Sequence, residues 1–411
     1  MNNTDSQRAA ASRHGMLIIG ILFFIFGFIT WLNSVLIPFL REACELTDSQ
    51  AYLVTFAFYI SYFVMAMPSS YILRRFGYAR GISLGLLTMA VGALLFVPAA
   101  VYRTYALFLA GLFIEGTGLA LLQTAANPYV TVLGPIESAA RRMSIMGICN
   151  KVAGMIGIFI MGTALFSRLS DDASAGMADR VILPYLIIAF VLVCLALWIE
   201  RAHLPAISTD SPEPAADAVR KDRASIWRYP YLWLGVICLF LYVGVEVIAI
   251  DTLPLYGEAQ GIPTQQAVHI GIFSLIALTA GYLIGIVTVP RMISQRQALI
   301  LCATLGILLT VGALWTDGML SIACIVMLSF AHALMWPCIW PLSIEGLGKY
   351  TATASALLIM AIAGGAVMPQ VYAHLAEHSS RQAAYALLLP MYAYMVFFAL
   401  KGCRIGRNNS N

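Results

Sequence analysis

The chain has 411 residues, 61% hydrophobic and 11% charged, with a formal net charge of +4. A soluble domain carries about 25% charged residues, so a water-soluble globule is excluded and the chain reads as an all-α membrane protein. The basic residues form no single run, which argues against a nucleic-acid partner, and the eight cysteines lie mostly in apolar segments, so no disulfide framework is implied.

A membrane span needs about 20 mostly apolar residues. Twelve segments qualify: 16–40, 50–73, 81–101, 105–128, 143–167, 181–199, 231–256, 266–290, 298–315, 319–343, 352–375 and 383–401. Continuous apolar runs, without a barrel's alternation, make them helices. Span one follows Arg8, Arg13 and His14 as a signal peptide would, but it is too long and lacks a small-residue cleavage site, so it is retained.

Span four places Gln123 and Asn127 four residues apart, on one face, with Glu115 eight residues before Gln123. Amides on such a face either bond between helices or converge on ligand hydroxyls. Pro128 breaks the helix bonding near its end. Span five carries Lys151 directly after Asn150, and Ala153 and Gly157 have the spacing that permits close helix approach.

Residues 201–230, rich in Pro, Ser, Asp and Ala, read as a linker between spans six and seven. The chain is therefore expected to divide into six-helix bundles at 1–200 and 231–411. A shift of 216 residues lays 37–51 on 253–267 without a gap and matches Pro38 to Pro254 and Glu42 to Glu258. Two parallel repeats with a site between them near the midplane is a transporter arrangement.

Span seven contains Glu246 and Asp251, and span ten contains His332, Trp336 and Trp340 on one face. Aromatic faces suit the C–H side of a sugar ring, although tryptophans also anchor at interfaces. Gly364, Gly365 and Pro369 mark span eleven as a helix that bends or packs closely. Placing both termini in the cytoplasm puts 18 of the 24 Lys and Arg on that side.

The embedded charges are Glu115, Lys151, Glu246 and Asp251, with His332 a further titratable group. Three acids and one base cannot pair one to one, so at least one acid is protonated, hydrated or ion-bound. Lys151 lies about 12 Å from the cytoplasmic end of span five and Glu115 about 15 Å from the outer end of span four. Similar depths predict an ion pair between them, either static or used in coupling.

The stretches "FFIFGFITWLNSVLIPFL", "LLQTAANPYVTVLGP" and "FLYVGVEV" resemble the fucose/glucose/galactose permeases of the major facilitator superfamily. The likeness is closest to the branch of glucose/galactose and N-acetylglucosamine permeases. It implies a bacterial inner-membrane importer, working as a monomer in the lipid bilayer by alternating access. Its substrate would be a small neutral sugar, and it would have no cofactor beyond a coupling ion, H+ or Na+. The expected sugar contacts are Asn33, Gln123, Asn127, Asn150 and Trp336; of these, Asn150 matches the family's asparagine in span five. Fucose permeases carry a proton-linked aspartate where this chain has Ser34, beside Asn33, and a glutamate where it has Gln123. Coupling then falls to Glu115, Lys151, Glu246, Asp251 or His332, uses sodium, or is absent. An exporter, a membrane sugar sensor and an enzyme on lipid-linked sugars are the competing readings; short loops and tails argue against the last two.

Overall fold

The computed structural model describes residues 3–132, 139–166, 177–201, 226, 228–289, 291–347 and 350–406; of 3–14, 70, 74, 127–132, 139–144, 177, 178, 351 and 352 it describes the backbone alone. All regular structure among these residues is helical. Twelve helices among the described residues are long and apolar enough to cross a membrane: Gly15–Ala43, Asp48–Ser69, Tyr78–Val101, Tyr105–Ala126, Ile145–Phe166, Asp179–Arg201, Pro230–Asp251, Thr264–Thr288, Gln295–Trp315, Gly318–Ile344, Thr353–His378 and Arg381–Arg404. They are spans one to twelve. Each expected segment finds its helix, with ends displaced by a few residues.

Several spans are discontinuous, and proline chemistry explains two of the breaks. Pro254 offers no N–H to the Ile250 carbonyl and its ring crowds that carbonyl. Span seven accordingly steps at Thr252, between Pro230–Asp251 and Leu253–Ala259. Pro337 acts likewise on span ten, which divides into Gly318–His332 and Met335–Ile344. Span one divides at Leu32, whose amide reaches back only to the Ile29 carbonyl, at 3.3 Å. In span eleven a 3-10 turn, Ala361–Ala363, immediately precedes Gly364.

Contact density divides the chain into two units, Met1–Asn33 with Val64–Ser211, and Ser34–Phe63 with Pro212–Asn411. The cuts fall inside spans one and two rather than at the linker alone. The physical reason lies in the second unit, where the hairpin joining these spans packs on spans seven, eleven and twelve.

Within each unit the helices meet at glycines. In the first, a Cβ on Gly27 would lie 1.8 Å from the Asn150 carbonyl oxygen, so spans one and five touch backbone to side-chain-free backbone. Gly157 on span five faces the Phe28 carbonyl in the same seam. In the second, a Cβ on Gly364 would lie 1.8 Å from the Phe240 carbonyl oxygen, joining spans eleven and seven. Spans one and five correspond to seven and eleven under a six-helix repeat. Spans three and four likewise pack together, as do nine and ten, and three packs on six as nine packs on twelve.

Apolar side chains also cover much of the surface, including Phe159, Phe190, Leu183 and Met319, each at least 60% exposed. Lipid tails, not water, suit such a surface.

Gly27→Ala should destabilise the protein by about 1–3 kcal/mol through overpacking. Gly20→Ala, where a Cβ meets nothing within 4 Å, should leave stability unchanged. Thermal unfolding of both variants in detergent compares them directly.

Candidate functional site

The close seam between spans one and five sets the first cluster. With Gly27 against the Asn150 backbone, the Asn150 side chain reaches across to span one. Its Oδ1 accepts from Trp31 Nε1 at 3.2 Å, and its Nδ2 donates to the Phe23 carbonyl at 3.4 Å. The next residue, Lys151, places Nζ 4.3 Å from the centre of the Trp31 ring. Trp31 is thus held by an amide at its edge and covered by an ammonium on its face. Two residues on, Asn33 is 1% exposed, and its Nδ2 has no hydrogen-bond partner. Gln123 is half-buried in the same unit. Asn127 lies one turn beyond it, with its side chain outside the described residues.

The expected ion pair between Glu115 and Lys151 is not formed. Glu115 is buried against span three, where a Cβ on Gly92 would lie 2.7 Å from its Cγ, and its Oε1 has no hydrogen-bond partner. Depth along the membrane brings two residues level but does not set the direction in which each points. Glu115 points to span three, and Lys151 to span one.

In the second unit, aromatic groups line up from span seven to span ten. Tyr242 meets His332 and Trp336, each with ring centres 6.3 Å apart, and Trp336 stacks on Trp340 at 5.5 Å. The shared face of His332, Trp336 and Trp340 therefore survives the break in span ten. His332 Nε2 lies 2.6 Å from the Tyr392 hydroxyl, and its Nδ1 is buried without a partner. Glu246 lies one turn along the same helix, within the electrostatic reach of Tyr242.

Asp251 ends the long helix of span seven. It is 1% exposed and its Oδ2 has no hydrogen-bond partner. Tyr52 and Tyr59 of span two and Glu246 are the titratable groups within its electrostatic reach. Tyr59 in turn packs on span eleven, its ring 3.1 Å from where a Gly365 Cβ would stand.

Beyond Asp251 lies a network of ion pairs. Arg381 grips Asp48 with two bonds, Nε to Oδ2 at 2.7 Å and Nη2 to Oδ1 at 2.9 Å, and donates a third to the Leu255 carbonyl at 3.0 Å. Arg41 lies 3.0 Å from Asp48 and 3.6 Å from Glu258. The Ser49 amide donates to Glu377 at 2.8 Å. The hairpin between spans one and two is thereby fastened to spans seven, eleven and twelve.

Residues 19–398 match the model of the Major Facilitator Superfamily. The chain belongs to the major facilitator superfamily. It is a membrane transporter rather than an enzyme. It is 33% identical over 408 residues to a glucose/galactose transporter of Brucella abortus, covering 98% of each chain. It is 28% identical over 400 residues to the L-fucose-proton symporter of Escherichia coli, covering 92% of this chain and 90% of that one. The crystal structure of a transporter of this superfamily, FucP, in the outward conformation superposes with a TM-score of 0.71 at 27% identity, over 93% of this chain and 97% of that one. The family resemblance read in the sequence is upheld.

Sequence reasoning missed Trp31, Tyr59 and the ion-pair network. Trp31 stands 120 residues from Lys151 in the sequence, so no local spacing links the two. The pairing of Asp48 with Arg381 joins residues 333 apart, which no local spacing can reveal.

Because Glu115 and Lys151 lie in separate contacts, Glu115→Gln and Lys151→Met should act independently. Their effects on unfolding free energy should add within about 0.5 kcal/mol. A double-mutant cycle measures this; a coupling of about 3 kcal/mol, of the size expected of a buried pair, would restore the ion pair.

Proposed function

We propose that the chain imports a neutral hexose or N-acetylhexosamine together with a proton across the bacterial inner membrane. In this reading both termini are cytoplasmic and the hairpin between spans one and two is outside. The six-helix halves, 1–200 and 231–411 with the 201–230 linker between them, alternate access to the sugar, and a single chain suffices.

The observation that carries the reading is the Trp31–Asn150 pair on spans one and five, at the break in span one. Discontinuous spans are where transporters of this kind bind their substrates. The Trp31 indole takes the apolar side of a sugar ring once opening uncovers it, since here it is buried beneath the Lys151 ammonium. The Asn150 amide group makes only a long bond to Phe23, and Asn33 has a donor to spare, so both suit hydroxyl groups. Gln123 and Asn127, on span four of the same unit, are further candidate amides, and Trp336 of the other unit is a further candidate sugar contact. The curated relatives named for glucose and galactose, and the fucose-proton symporter, support sugar as the cargo and H+ as the coupling ion.

Uptake of labelled monosaccharides by proteoliposomes, with proton and sodium gradients imposed in turn, tests the reading. Glucose, galactose or N-acetylglucosamine should accumulate under the proton gradient; no uptake under either gradient would defeat it. Gln123→Ala and Asn150→Ala should each weaken sugar binding about ten-fold or more, since a lost buried hydrogen bond costs about 1–3 kcal/mol. Sugar-dependent quenching of tryptophan fluorescence gives the affinities.

A further inference from the structure

We propose that Asp251 is the carboxylate that carries the coupling proton, and that the outer end closes over it only when the proton is bound. The proposal rests on the reading of the chain as a proton-linked sugar transporter.

Asp251 is buried, its Oδ2 lacks a donor, and no ion pair among the described residues includes it. The titratable groups that reach it are Tyr52 and Tyr59 from span two and Glu246 from its own helix, none of them cationic. Tyr385 of span twelve bonds the neighbouring Thr252 instead. Arg381 is committed to Asp48 and the Leu255 carbonyl. An ionised carboxylate here would be a lone charge in an apolar site, which is strongly unfavourable. As a neutral acid it needs no counter-ion. A permanently buried aspartate of this kind would only weaken packing, so its presence calls for a use.

The cover over Asp251 supplies that use. Tyr52 and Tyr59 belong to residues 34–63, the segment fastened by Asp48 to Arg381, by Ser49 to Glu377 and by Tyr59 on Gly365. Outward opening must release these fastenings and admit water to Asp251, which then exchanges protons with the outer solution. Closing over the acid buries no charge; closing over the carboxylate does. Proton binding and closure therefore favour each other, as any two linked equilibria must. Glu246 lies about 7.5 Å further in along the helix and is only partly buried. The proton passes from Asp251 to the Glu246 carboxylate and from there to inner water. The Asp251 carboxylate left behind is again a lone buried charge, and it drives the outer end open.

Asp251→Asn fixes the neutral form with almost no change of shape. In proteoliposomes with an acid exterior, wild-type protein should accumulate sugar and take up protons with it. D251N should still exchange sugar across the membrane but lose both accumulation and sugar-driven proton uptake. Accumulation by D251N at the wild-type level would overturn the proposal and leave the sugar reading standing. Wild-type protein that exchanges sugar yet never accumulates it under a pH gradient would remove the coupling, and the proposal with it. A second measurement leaves Asp251 unchanged and decides the matter should D251N fail to insert. Ser49→Cys with Glu377→Cys, in a Cys44→Ser background and spin-labelled before the pH is varied, reports closure through the distance between the two labels, which unlike thiol oxidation has no thiolate dependence of its own. The short-distance, closed population should rise as external pH falls. A population that ignores pH would overturn the proposal.

Discussion

The seams at Gly27 and Gly364 are the constraint on which the other features depend. At each, the missing side chain lets one helix backbone rest on the carbonyl of another. Lipid tails are as apolar as the helix surfaces, so association in a bilayer rests on this kind of close packing rather than on expulsion of water. The seam of spans one and five brings Asn150 within reach of Trp31, and Lys151 follows over the indole face. The seam of spans seven and eleven carries Tyr59 against Gly365, next to the partner glycine. One arrangement, repeated in the two units, thus positions both the proposed sugar contacts and the proposed proton site.

The two embedded charges that most need explanation are treated differently. A lysine at bilayer depth costs roughly 2.5–3.5 kcal/mol on insertion scales. A desolvated cation on an aromatic face recovers about 2 kcal/mol or more, so the Trp31 face offsets part of the cost of Lys151. Asp251 has no such cover, since tyrosine hydroxyls and a second carboxylate surround it. Its charge can be removed only by a proton, which is why the same physical constraint yields a fixed group in one unit and the proposed mobile proton in the other.

The spans were legible because hydropathy over about 20 residues is a long, redundant signal. Two breaks were legible in principle from Pro254 and Pro337, whose effects are local and act on the carbonyl four residues back. Gly364 and Gly365 announced a special place in span eleven, and the structure shows both a 3-10 turn and a close contact there. The partners of the charges were not legible. Residue depth follows from counting along a helix, but direction around the axis depends on which helix packs where. Glu115 and Lys151 are similar in depth and point to different neighbours. The Asp48–Arg381 pair depends on tertiary packing across most of the chain, and the two units cut through spans one and two for the same reason.

The replacements at Ser34 and Gln123 now acquire a physical context. The resemblance to fucose permeases implies acids at both positions, near the sugar. Here the corresponding side chains are a hydroxyl and an amide, which can bind a neutral ligand without titrating. Lys151 adds a positive charge to the unit that holds Gln123, and a carboxylate beside it would tend to form an ion pair that holds no proton. The proposed proton coupling therefore calls for an acid distant from that lysine, in a place whose hydration changes with opening. Span seven supplies one at the end of its long helix, where Pro254 breaks the backbone and the hairpin fastened by Asp48 and Arg381 forms the cover. In the proposed mechanism the sugar and the proton occupy different spans, and the link between them is the closure of that cover rather than direct contact.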